Sequence, residues 1–224
     1  VKIRLGASSG EWKAMVADEA ARTTFAKNIK TVLEKNKLDG IDLDFEWAEN
    51  EKEYKDYSLA ILKMREVLGN KYLFSVSLHP VCYKISKEAI EAVDFISLQC
   101  YGPSPVRFPI EKYCSDIQMV LEYGIPKEKL VAGVPFYGVT KDNSKKTEAY
   151  FNFVQNGLVT SPAQNEVIYQ GDTYVFDGQD NIRIKTRYAK EQKLKGMMSW
   201  DLATDLPLSD SRSLLKTMTE ELRE

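Results

Sequence analysis

Apolar residues recur along this chain in two alternating rhythms. Short strand-like runs, VKIRLGAS, DGIDLDFEW, YLFSVSLHP, VDFISLQCYG, KLVAGVPFYG and GMMSWDLATD, are separated by longer segments in which apolar residues repeat every three or four positions. The clearest helical stripes are Phe25, Ile29, Val32 and Leu33 in the segment that runs to Lys35, and Leu59, Leu62 and Val67 in EKEYKDYSLAILKMREVL. Side chains at that spacing share one face of a helix. Further helices are expected at about Pro109 to Tyr123, Asn181 to Lys193 and Ser209 to Leu222. Strands alternating with helices predict an α/β fold, a parallel sheet with right-handed crossovers that is either doubly wound or closed into a (β/α)8 barrel.

Two features favour the barrel. Polar or aromatic residues collect at the C-terminal ends of the strands: Glu46 and Trp47, His79, Gln99 and Tyr101, Phe136 and Tyr137, Trp200 and Asp201. A barrel assembles its site at that end. No glycine-rich phosphate loop follows the first strand, as a dinucleotide-binding sheet would require. The interval from Val139 to Lys195 is too long for one crossover helix, and within it EVIYQ and TYVFD flank Gly171 and Asp172. That pattern predicts a β-hairpin, and with it a small insertion of about 40 residues before the last crossover helix.

Composition narrows the class. The 224 residues are 43% hydrophobic, enough for a sizeable core, and the formal net charge of -2 comes from interspersed acids and bases. With no basic stripe, nucleic acid is not an expected partner. No apolar run reaches the roughly 18 residues a membrane span needs, and the N-terminal stretch lacks the apolar centre of a signal peptide. Cys82, Cys100 and Cys114 are odd in number and have no Cys-x-x-Cys spacing, which points to free thiols rather than zinc or a disulfide framework. His79 is the only histidine, so triad and histidine-metal chemistries are disfavoured and a packed structural role is expected for it.

The run DGIDLDFEW carries the chemistry. Asp42, Asp44 and Glu46 alternate with Ile41, Leu43 and Phe45, so in a strand the acids share one face and the apolar residues the other. Inside a barrel the acids would point inward, where desolvation and mutual repulsion raise at least one pKa and the group shares protons. The outermost acid, Glu46, is then placed as a proton donor of the kind used in glycoside hydrolysis. Asp-x-Asp spacing also occurs in metal loops, but a calcium loop needs glycine at its sixth position where this chain has Trp47. No metal and no cofactor is expected.

LDGIDLDFEW resembles the Asp-Gly-x-Asp-x-Asp-x-Glu signature of glycoside hydrolase family 18, the chitinases and their relatives. VDFISLQCYG is similar to the family's sixth-strand segment, LVAGVPFYG to the seventh and GMMSWDLATD to the eighth. The resemblance implies that Glu46 protonates the glycosidic oxygen, that Asp44 holds the N–H of the substrate's 2-acetamido group, and that Asp42 shares a proton with Asp44. The acetamido oxygen is then the nucleophile, with retention, the substrate-assisted route of this family. Tyr101 would bond the acetamido oxygen and Trp200 would floor the sugar; Gln99 and Tyr137 are further substrate-binding candidates.

The implied substrate is a β-1,4-linked N-acetylglucosamine polymer such as chitin. An N-glycan core or a cell-wall glycan is the alternative, as is a catalytically silent carbohydrate-binding member. The resemblance also implies a monomer that is secreted or held in the cell envelope. The first visible strand is similar to the family's third, so two strand-helix units, on the order of 60 to 90 residues, are expected before Val1. On that numbering residues 1–139 hold barrel strands 3 to 7, residues 140–180 the insertion, and residues 181–224 the last crossover helix, strand 8 and a C-terminal helix. Gly6-Ala7-Ser8-Ser9 stands where the family has Ser-x-Gly-Gly, with Ser8 as a stand-in for the missing serine. Gly102 replaces the usual Asp or Asn after Tyr101, which leaves room for a different glycan.

Overall fold

A computed structural model describes residues 2–7 and 12–224. In chain order the elements are β1 (Arg4–Ala7), α1 (Trp12–Ala17), α2 (Glu19–Asn36), β2 (Gly40–Leu43), α3 (Glu51–Leu68), β3 (Leu73–Leu78), α4 (Lys87–Ala92), β4 (Phe95–Leu98) and α5 (Ile110–Tyr123). They continue as β5 (Leu130–Pro135), β6 (Tyr137–Thr140), β7 (Thr147–Ala149), α6 (Tyr150–Gln155), β8 (Glu166–Tyr169), β9 (Asp172–Val175), α7 (Gln179–Glu191), β10 (Gly196–Trp200) and α8 (Leu214–Arg223). The chain divides into two compact units, residues 1–98 with 120–130, and residues 99–119 with 131–224.

In the first unit β1, β2, β3 and β4 pair in parallel in sequence order, with Gly6 beside Asp42, Asp42 beside Ser75, and Ser77 beside Ser97. Gly40 is required by this pairing, since a Cβ there would lie 2.0 Å from the Leu73 carbonyl oxygen. The helices start where short polar side chains satisfy unpaired N–H groups. Asp18 accepts from Ala21 N–H at 2.7 Å ahead of α2, and Asn50 accepts from Glu53 N–H at 3.0 Å ahead of α3. The buried face of α3 is Tyr57, Ile61, Met64 and Leu68, not the expected stripe: Leu59 is exposed and Leu62 and Val67 are half-buried. Both stripes have helical period; the Tyr57 ring wins the core by packing on Phe45 and Trp12 at 5.2 and 5.7 Å. In α2, Val32 is likewise exposed while Ile29 and Leu33 are buried.

Helix α4, too short to show a period, is fixed at its end by a cation. The Lys129 ammonium donates to the carbonyls of Ile90, Glu91 and Val93 at 3.0, 2.8 and 2.7 Å, filling acceptors that a helix C-terminus leaves open. Next to it, Ile96 N–H donates to Lys129 O at 2.8 Å, which brings the chain alongside β4 one residue before β5 begins.

Strand β5 runs on into the second unit, where it pairs in parallel with β10, Gly196 beside Val131 through Trp200 beside Pro135. The hydrogen-bonded order of the six parallel strands is β1-β2-β3-β4-β5-β10. Parallel strands that keep sequence order, with helices between them, are the barrel class of α/β fold, here with six such strands among the described residues.

The insertion is a four-stranded antiparallel sheet, β7-β6-β9-β8. The expected hairpin is present as β8 and β9, with its turn one residue earlier than the sequence suggested. Gln170 and Gly171 take φ of 51° and 88°, the left-handed pair that a two-residue hairpin turn demands, and Asp172 pairs with Tyr169. Its other two strands, β6 and β7, were not foreseen. Phe153 of α6 fills the space over Gly138, where a Cβ would meet the ring at 2.7 Å, and packs on Tyr169, Tyr174 and Phe176.

A buried charge pair ties the end of this insertion to α7. Lys185 Nζ lies 2.6 Å from Asp177 Oδ2, both side chains fully buried, and also donates to Phe108 O at 2.8 Å. Removing one partner strands the other charge in a dry interior. Lys185→Met should therefore cost about 3 kcal/mol or more, and adding Asp177→Leu should recover part of it, both read by urea unfolding. Burial also pushes the Tyr57 and Tyr113 hydroxyls and the Cys100 thiol well above their ordinary ranges. The unfolded chain ionises first as pH rises, so the stability these groups contribute is whole below about pH 8 and is lost above it. Unfolding midpoints measured from about pH 7 to 11 should fall steadily on the alkaline side.

Candidate active site

The alternation read from DGIDLDFEW holds in the first unit beyond the end of β2. Ile41, Leu43 and Phe45 are buried, Asp42 and Asp44 are half-buried, and Glu46 is exposed. Phe45 stacks on Trp12 at 5.4 Å and meets Phe25 at 6.1 Å, so the apolar face of this segment is committed to the helices and the acids take the other face.

The innermost acid is tightly held. Asp42 Oδ1 accepts from the Ser75 hydroxyl, Oδ2 accepts from the Ser77 hydroxyl at 2.7 Å, and Arg4 Nη1 lies 3.9 Å from Oδ1. Arg4 also donates to Ser75 and sits over the Phe95 ring at 4.5 Å. Gly6, beside Asp42 in register, leaves open space where a side chain would be. The donors to this aspartate therefore come from β3. Ser8, the stand-in read from the sequence, lies outside the described residues.

Past Leu43 the backbone is steered by side chains. Asp44 N–H still donates to Ala7 O at 2.9 Å. The Trp12 indole N–H donates to the Glu46 carbonyl at 3.2 Å, and Ala48 N–H donates to Cys82 Sγ at 3.2 Å. Burial pushes the Cys82 thiol above its ordinary range, which keeps it a neutral acceptor. The Trp47 ring packs on His79 at 4.9 Å, and His79 Nδ1 accepts from Val81 N–H at 3.2 Å, so this buried histidine supports the loop that carries Glu46.

The second unit brings together Tyr101, Tyr137 and Trp200. The Tyr101 and Tyr137 rings meet edge to face at 6.4 Å; Tyr101 donates to Met198 Sδ at 3.6 Å and Tyr137 to Gly102 O at 3.2 Å. Gln99 is buried two residues before Tyr101. Tyr137 and Trp200 line a cavity of about 340 Å³ with Pro103, Thr147, Glu148, Ala149, Asp201 and Thr204. Trp200 is 53% exposed in spite of its size, the condition in which an aromatic face is open to a ligand. Among the described residues no three His, Cys, Asp or Glu side chains converge as metal ligands do, and no helix is long and apolar enough to cross a membrane.

Over residues 3–205 the chain matches the family model of glycosyl hydrolases family 18. The chain belongs to that family. Relatives include the Probable chitinase 2 of Drosophila melanogaster, 23% identical over 88% of this chain and 54% of its own length. This chain thus spans about half of that curated relative. Among solved structures, the family 18 chitinase ChiB from the chitin utilization locus of Flavobacterium johnsoniae superposes with TM-score 0.81 at 27% identity. That match covers 99% of this chain and 74% of the other. A chitinase-like agglutinin of Robinia pseudoacacia shares the fold with TM-score 0.80 at 18% identity, over 99% and 81%.

The serines that hold Asp42 were missed in the sequence, although FSVSL spaces Ser75 and Ser77 by two and so places them on one face. Trp12 was missed because nothing local marks it as a partner of Glu46. Each serine removed from Asp42 strips a charge-assisted bond, so Ser75→Ala with Ser77→Ala should lower stability by about 2 to 4 kcal/mol, measured as a shift of the denaturation midpoint at unchanged slope.

Proposed function

We propose that the protein is a retaining, metal-independent glycoside hydrolase that cleaves β-1,4-linked N-acetylglucosamine polymers such as chitin, with Glu46 as general acid and base. The observation that carries this reading is the graded acid column: Asp42 anchored by two serines and an arginine, Asp44 half-buried, and Glu46 outermost and exposed. A proton donor has to reach substrate, while the acids behind it set its field and its protonation.

In the proposed reaction Glu46 gives its proton to the glycosidic oxygen as the C1–O bond breaks. The carbonyl oxygen of the substrate's own 2-acetamido group closes on C1 to an oxazolinium, in the substrate-assisted manner of the family. Asp44 accepts the acetamido N–H, and Asp42 shares a proton with it. Water, giving a proton to Glu46, then attacks C1 and displaces the acetamido oxygen, so the oxazolinium C1–O bond breaks, the acetamido group is restored and the configuration at C1 is retained overall. Tyr101 is assigned to the acetamido oxygen and Trp200 to the apolar face of the ring, with Tyr137 and Gln99 as further sugar contacts. A polymeric glycan of this kind fits an enzyme that is secreted or held in the cell envelope and acts as a monomer.

The agglutinin of similar fold makes a silent carbohydrate-binding protein the second reading, and an N-glycan core or cell-wall glycan is the alternative substrate. Glu46→Gln separates these. Turnover of fluorogenic chito-oligosaccharides should fall by about 10²- to 10⁴-fold while oligosaccharide affinity is kept. An unchanged rate sinks the assignment of Glu46, and sugar binding without turnover in the native protein favours the silent binder.

A further inference from the structure

The cavity beside Trp200 is lined by two carboxylates and by no basic side chain. Glu148 reaches it from β7 and Asp201 from the end of β10. Their orientation is fixed. Glu148 Oε1 accepts from Ala149 N–H at 2.9 Å and from Asn152 Nδ2 at 2.7 Å, so its second oxygen is left for a ligand. Asp201 Oδ1 accepts from Thr204 N–H at 3.2 Å and likewise leaves its second oxygen open. Neither forms an ion pair among the described residues. Lys146, the basic residue closest to Glu148 in sequence, is engaged by Asp172 at 2.7 Å. The cavity therefore combines an exposed indole face, suited to a sugar ring, with two positioned acceptors whose negative charge is not cancelled.

A neutral N-acetylglucosamine unit uses only the hydrogen-bonding capacity of such a site. A glucosamine unit, whose free 2-amine is an ammonium at neutral pH, uses the charge as well, and hydrogen bonds to charged groups are the stronger kind. We infer that this cavity is a specificity element for partially deacetylated chitin, with Glu148 and Asp201 recognising the ammonium of a glucosamine unit in the bound chain. This rests on the proposed reading of the protein as one that takes N-acetylglucosamine polymers. The cleaved unit must still carry its acetamido group, so the ammonium belongs to a neighbouring unit of the same chain.

The test is calorimetric titration with chitopentaose, fully acetylated or carrying one or two free amines, run beside a separate turnover assay on the same oligosaccharides. The native protein should bind the partially deacetylated oligomers about 5- to 10-fold more tightly at low ionic strength. That preference should shrink to about 2-fold or less in about 0.5 M salt. Glu148→Gln keeps the acceptor used by Ala149 and Asn152 and should abolish most of the preference; Asp201→Asn, which keeps the bond to Thr204, should reduce it. Equal affinities for both oligomers in the native protein overturn the inference and leave the hydrolase reading standing. So does a preference that survives in both variants. A preference lost in the variants of a protein that turns over neither oligomer upholds the inference and removes the hydrolase; binding of neither overturns both.

Discussion

Burying Ile41, Leu43 and Phe45 against the helices orders the first unit and leaves the intervening acids one direction to point. Phe45 alone touches Trp12 of α1, Phe25 of α2 and Tyr57 of α3. Each of those helices is thereby fixed relative to the strand, and a slip of one residue would send the carboxylates into the aromatic layer. The acid column is the cost side of that arrangement. It is met by hydroxyls from the next strand and by a guanidinium that is itself seated on a ring.

The second unit solves a different problem. Its aromatic candidate site residues take their positions from neighbours rather than from strand alternation: Tyr137 is tied to Gly102, Tyr101 to Met198, and Phe136 N–H to Trp200 O at 2.7 Å. Gly102, with no side chain of its own, offers its carbonyl to Tyr137. In the same unit, the fully buried Lys185 and Asp177 pair fixes where the insertion returns to α7.

Much of this was legible in the chain. The order of six strands, the hairpin and the two-faced acid segment follow from periodicity, because a period of two or of 3.6 is a local property. What was not legible is non-local. Tyr57 takes the core in preference to Leu59 because of rings more than ten residues away, and the partners of Asp42 sit 33 and 35 residues downstream. Helix α4 and strands β6 and β7 are short enough that tertiary partners, Lys129 for the one and the insertion sheet for the others, decide their existence.

Tyr137 and Val139 stand two residues apart on β6, the first against the cavity and the second paired with β7 and β9. One strand thus serves both as wall of the cavity and as framework of the insertion. The insertion is therefore a structural part of the cavity wall, which cannot be trimmed or grafted as a loop without carrying the cavity with it. Variation in its remote hairpin reaches the cavity through the backbone of one strand.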